Sequence, residues 1–531
     1  MELTRRNFLA GAMVAGSAVA AAMTGCAPAK TQKDESTSSG DTSSAVKSEH
    51  NPSETLTCDL VVVGSGTAGC CAAVRAAQLG LKVVMLEKNA VYGGSSGYAE
   101  GLGAVNSYMH REQGLQFDTN EVFLRTQEYH HWAANSAVLH RYIDNSGATI
   151  DWLHNECGIN FYQATVVSPN SYPSWHLLAD AQGNVERVQK GLINPMVELA
   201  QKLGVDVRKE APATGLIVED DEVAGVYFQE AKKEYALKAQ NVILATGGYS
   251  NNKDLVEEFC HTDYDKIWNW GAAGRDGDGI TMAQQVGGVL RNPSNLMYGS
   301  TRIPGCSEFE EPANWVFSWQ PAMRVNEQAK RFFNEEMCAD FSAASNAIVA
   351  QDACYTIMDQ AYLDQLCDVG MTIGLVSVGH VTGEPIQGGR QAVEENIAAG
   401  NVFRADTIEE LAQKLELDPE QLAATVKEYN DCAAEGTDSV YGTTHFAPLA
   451  TPPFYGAHIQ RAVFTSVGGL DVDEYLRVLD VDKQPIPHLF ALGTDASSYT
   501  GFCYDVDVMA GAEQGWCATG GRLAAEFIAN A

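Results

Sequence analysis

Short apolar runs ending in glycine punctuate this chain. CDLVVVG (58–64) is Val-rich and does not alternate, the pattern of a parallel strand covered on both faces. Helical spacing follows over Ala68–Leu79, and LKVVMLEK (81–88) reads as a second strand. NVILATGGYS (241–250) and LFALGTDASS (489–498) repeat the theme of a buried strand running into small residues, and GRDGDGI (274–280) reads as a turn-rich loop. TIEELAQKLELDPEQLAATVKEYNDC (407–432) predicts two helices. Thr407 caps the first with Glu410 at its third position; Asp418 caps the second, with Pro419 opening it and Gln421 at its third position. Strands alternating with helices predict an α/β class built on a Rossmann-type sheet.

Gly64, Gly66 and Gly69 stand at G-x-G-x-x-G spacing between the first strand and its helix. The first allows the tight turn, the second lets backbone approach a pyrophosphate, and the third lets helix and strand pack closely. Thr67 and Ala68 place helix N-terminal amides toward phosphate. Glu87 ends the second strand where a carboxylate can accept from a ribose, with Lys88 beside it. Gly93, Gly94, Ser95 and Ser96 follow, small enough for a loop to fold over a flavin's pyrophosphate and ribityl chain. Gly247, Gly248, Asp278, Gly493 and Asp495 at the later strand ends and turns complete the candidate cofactor contacts.

The 531 residues exceed one compact core. The formal charge of −33 disfavours nucleic acid, whose affinity rests on Lys and Arg at phosphates. Thirteen cysteines include no C-x-x-C pair, and their spacing gives no support to a metal or iron–sulfur site. Residues 1–26 read as an address: twin Arg5 and Arg6, Phe8 and Leu9, an Ala-rich run and MTGC, which predicts twin-arginine export and a lipid on Cys26. Residues 27–55 are polar and predict a disordered linker. The expected location is therefore the outer face of the cytoplasmic membrane.

VVVGSGTAG, LEKNAVYGGSS, VILATGGYSNN, GRDGDGI, LFALGTD and GRLAAEFI together resemble the flavoprotein superfamily of fumarate reductase and succinate dehydrogenase, which includes urocanate reductases, 3-ketosteroid dehydrogenases and cardiac glycoside reductases. The resemblance implies noncovalent FAD and a split architecture: an FAD-binding domain over 56–295 and 464–531, with an α+β capping domain over 296–463 between them. It also implies a clamp of histidines and arginines on substrate carboxylates, but Gly299, Ala339, Thr465 and Val508 stand at those positions. A desolvated carboxylate left unpaired is costly, so a C4 dicarboxylate is a poor candidate. Tyr504 and Tyr298 are the candidate proton donors, with Arg331 of the R-F motif as a third catalytic candidate. Asp505 and Asp507 can relay protons, Arg302 and Arg324 lie in the inserted half, and Trp315, Phe317, Trp319, Phe332 and Phe333 make that half aromatic. The expected function is an FAD-dependent reductase of an activated C=C bond in a small-molecule enone or enoate, serving as a respiratory terminal reductase fed by a separate membrane-linked donor. A 3-ketosteroid-type dehydrogenase and a non-catalytic ligand-binding lipoprotein are the alternatives.

Overall fold

A computed structural model describes residues 50–167, 171–307, 310–375, 380–496 and 498–531. The twin arginines, the MTGC stretch and the linker up to residue 49 lie outside the described residues. The chain is already fixed at His50, which stacks on Tyr227 and hydrogen-bonds Glu234, so residues 50–55 belong to the fold rather than to the expected linker.

The first segment supplies β1 (Glu54–Val63), α1 (Thr67–Gln78), β2 (Val83–Leu86), β3 (Asp206–Arg208) and β4 (Lys233–Leu244). After β5 (Leu296–Arg302) and α2 (Phe341–Val349), the chain returns through β6 (Gln460–Ser466), β7 (Arg477–Leu479), β8 (Pro485–Ala491) and α3 (Ala512–Asn530). The main sheet runs β7–β8–β4–β1–β2–β3, parallel from β8 to β3, with β7 antiparallel at its edge. Leu60 to Val63 are buried on both faces, which explains their unbroken apolar run. α1 and α3 pack together so closely that a Cβ on Gly521 would stand 2.5 Å from the Ala68 carbonyl oxygen.

The inserted segment has cores of its own. Strands Met323–Asn326, Cys354–Asp359, Phe454–His458 and Val402–Ala405 form an antiparallel sheet in that order. Helices Ile408–Lys414 and Pro419–Glu435 cover it, with Thr407 Oγ1 accepting from the Glu410 amide (3.1 Å) and Asp418 from Gln421 (2.9 Å), as their caps predict. The GRDGDGI stretch is a loop only as far as Gly277, since Asp278 opens a helix to Gln285.

Candidate active site

Two glycines build the cradle at the end of β1. Gly64 has φ +108°, and a Cβ there would lie 2.0 Å from the Ala245 carbonyl oxygen; a Cβ on Gly69 would lie 2.0 Å from the Gly64 oxygen. Only glycine fits either place. α1 starts at Gly66 with no side-chain cap and no acid in its first turn, which leaves a field suited to an anion. Thr67 N donates to Ser96 Oγ (3.2 Å), and Thr67 Oγ1 to Gln514 of α3 (2.7 Å). Glu87 is buried and accepts from Ser65 Oγ (2.6 Å), Ser65 N (3.2 Å) and Asn89 N (2.8 Å). Ser65, not singled out from the sequence, also accepts from Gly93 N (3.2 Å) and so joins the two glycine loops. Gly94, at φ +49°, faces open space with no heavy atom within 4 Å of an added Cβ. Ser95 Oγ accepts from Ala272 N at 3.2 Å. An uncapped helix start, small residues and a buried ribose acceptor fit a dinucleotide.

The other predicted contacts fall into two groups. Asp495 is fully buried, accepts from Thr246 Oγ1 (2.8 Å), Thr246 N and Gly248 N (2.9 Å), and burial raises its carboxyl above the usual range. It thereby ties the ends of β4 and β8 together beside Gly247, Gly248 and Gly493. Lys88 instead pairs with Asp276 (2.8 Å) and Asp278 (2.6 Å), so these charges hold the 274–280 loop to the end of β2.

The three catalytic candidates do not meet. Arg331 is buried in the inserted segment, where its Nη2 meets Glu335 at 2.6 Å, Asp438 at 2.8 Å and Thr443 at 3.1 Å, its Nε also donates to Glu335, and its guanidinium lies over the rings of Tyr429 and Tyr441. Burial opposes its charge, but the two acids hold its pKa above the ordinary value. These contacts give it the role of a structural anchor of the inserted segment. Tyr298 lies among Cys260, Thr262 and Arg461, and burial pushes its phenol up to about 12. Tyr504 is buried elsewhere, beside Glu513 and Asp505, with its phenol held protonated by burial and by those acids.

An acid cluster that the sequence only partly announced surrounds Tyr504. Tyr129 donates to Asp340 (3.1 and 3.2 Å) and to the Tyr504 carbonyl (3.3 Å). Asp505 accepts from the Val508 and Met509 amides (2.8 and 3.1 Å), yet burial, with Asp340 and Asp507 nearby, pushes its carboxyl up to about 7. Glu513, in the first turn of α3, accepts from Tyr499 at 2.6 Å, and burial raises its pKa. Tyr129 lies in a helix with no motif, so no sequence signal marks it.

Aromatic rings fill the place expected of a carboxylate clamp. Met297 pairs with Thr465 but Tyr298 with Val463, which leaves Phe464 as the extra residue of a β-bulge. Its ring turns over Gly299, where a Cβ would lie 1.7 Å from Phe464 Cε2. The Phe464 ring centroid stands 6.3 Å from Phe341 and 6.2 Å from Trp270, while Phe341 stacks on Tyr504 at 6.2 Å. Arg275 donates to the Phe464 and Trp270 carbonyls, Asn251 and Ala272.

The FAD binding domain family model matches residues 59–504. The chain belongs to this flavoprotein family. It is an FAD-dependent oxidoreductase acting on CH–CH/C=C bonds, with FAD as cofactor. It is 32% identical over 458 residues to the vinyl phenol reductase of Lactiplantibacillus plantarum, across 84% of this chain and 91% of that protein. It is 24% identical to the digoxin reductase of Eggerthella lenta, across 92% and 90%. The 3-ketosteroid Δ1-dehydrogenase of Sterolibacterium denitrificans shares the fold, with a TM-score of 0.74 at 20% identity over 89% of this chain and 99% of that one. The geometry of Gly64, Ser65, Gly66, Thr67, Glu87 and Gly94 fits residues that would hold the dinucleotide. Among the described residues, no group of His, Cys, Asp and Glu comes together to bind a metal ion, and no helix is long and apolar enough to cross a membrane.

Proposed function

We propose that this flavoprotein reduces an activated C=C bond carried on a flat, aromatic or similarly apolar framework. The box of Phe341, Phe464 and Trp270 against Tyr504 carries this reading, because rings of this kind bind other rings and exclude water. Reduced FAD, when bound without a covalent link, supplies a hydride, which is both electrons and the first of the two hydrogens. The chain's residues must seat the alkene and deliver a proton. Tyr504 suits that task as a neutral donor, since its buried phenol stays protonated. Asp505, near pH 7 in its titration, and the Tyr129–Asp340 pair form the reservoir from which that proton is replenished. The vinyl phenol reductase relative, matched over most of both chains, supports a substrate of this kind.

The remaining parts of the reading concern place and partner. The twin arginines and Cys26 favour export and lipid anchoring at the outer face of the cytoplasmic membrane, where a membrane-linked electron carrier feeds a terminal reductase. The test is holoenzyme reduced by a viologen and mixed with styrene-type alkenes, aryl enones and aryl enoates. Reoxidation by at least one class, with a saturated product, is the expected result. Desaturation of a ketosteroid with a dye acceptor, without any alkene reduction, would reverse the direction proposed here.

A further inference from the structure

One buried arginine has no acid to balance it. Arg324, on the capping-domain strand Met323–Asn326, is 1% exposed, and no carboxylate pairs with it among the described residues. Its Nη2 donates to the Ser318 carbonyl, its Nε has no hydrogen-bond partner, and its guanidinium lies 5.9 Å from the centroid of the Phe333 ring. The Ser318 hydroxyl is also buried and unpartnered. Both line a narrow cavity with Thr301, Ser345, Trp319 and Phe341, roomy enough for a group of about a water molecule's size. Phe341 is the wall this cavity shares with the aromatic box, since the same ring stacks on Tyr504. An uncompensated buried guanidinium carries a heavy desolvation penalty that an anion in contact with it offsets.

We infer that this cavity is an anion subsite, in which Arg324 and the Ser318 hydroxyl receive an anionic oxygen at one end of the aromatic substrate while its C=C lies on the Tyr504 side of Phe341. The inference rests on the aromatic-alkene reading above. A carboxylate and a phenolate present the same oxygen chemistry, and a guanidinium donates to either. A single cation suits a mono-anion and gives no clamp for a diacid.

The test uses oxidised holoenzyme and the saturated probes 3-phenylpropanoate, 3-phenylpropanamide and 4-ethylphenol, titrated against perturbation of the flavin absorbance. Arg324→Met should weaken 3-phenylpropanoate, or 4-ethylphenol above its phenol pKa, by roughly tenfold or more relative to the amide, as expected for losing a charge-assisted hydrogen bond. A loss confined to the acid identifies the carboxylate as the natural group, and one confined to ethylphenol identifies the phenolate. Equal weakening of all three probes, or of none, overturns the subsite. Should Arg324→Met fail to load FAD, Ser318→Ala decides: a narrowed acid-to-amide ratio supports the subsite and an unchanged ratio refutes it. Failure of the functional reading looks different, because then no alkene reoxidises the reduced enzyme even where the Arg324-dependent probe binding persists.

Discussion

At the scale of single residues, the site turns on glycines that make room and on buried acids whose pKa values burial raises. Gly299 exists so that Phe464 can lie over it, and a methyl there would strike the ring. Gly299→Ala should therefore destabilise the holoenzyme by about 1–3 kcal/mol, an overpacking cost, and pairing it with Phe464→Leu should recover much of the loss in a denaturant titration. Tyr504→Phe keeps the ring that stacks on Phe341 and removes only the proton, so turnover should fall about 10²-fold while FAD content holds. An unchanged rate would end the assignment of Tyr504 as donor. Asp505 titrates at about 7 in the fold against 3.8 for the free side chain. Its neutral form is thus favoured by folding, and the stability this gives is complete below about pH 4 and is lost as pH rises through 7. Asp505→Asn should flatten the thermal stability profile between pH 4 and 7 relative to the natural protein.

At the scale of elements, the β1–α1–β2 unit was legible because its physics is local. A continuous apolar run, three glycines and an acid specify the strand, turn and helix together, and Gly64 and Gly69 meet the backbone contacts their spacing predicts. Gly69→Val should remove FAD from the purified protein, checked by absorbance, because its side chain would collide with the Gly64 carbonyl. The caps at Thr407 and Asp418 were readable for the same reason. What did not show was anything set by pairing across the chain. The bulge at Phe464 depends on the register between β5 and β6, more than 150 residues apart in sequence, and Tyr129 reaches Asp340 from a helix whose pattern is ordinary. Tyr298 looked promising beside Gly299, but adjacent strand residues face opposite ways, and it points to Cys260. Lys88 looked like a cofactor contact until Asp276 and Asp278 came to meet it.

At the scale of the molecule, the inserted segment has apolar cores of its own, and the buried ion pairs of Arg331 serve to hold it together. Arg331 with Glu335, Asp438 and Thr443 fastens the 331–335 turn to the 438–443 loop. Arg331→Met leaves two buried acids unpaired, so it should cost about 3–5 kcal/mol in unfolding experiments while leaving the FAD absorbance of folded protein in place. Selective loss of turnover without loss of stability would instead restore a catalytic role. The inserted segment meets the returning segment where Phe341 stacks on Tyr504. The central claim is that this meeting place is aromatic and has no grip for a small diacid. It is tested most directly by comparing kcat/KM of viologen-reduced holoenzyme for a styrene-type aromatic alkene and for fumarate. The account predicts preference for the aromatic alkene by about 10³-fold or more, as for a site that leaves two carboxylates unpaired; fumarate turned over as efficiently as, or better than, every aromatic alkene would contradict it.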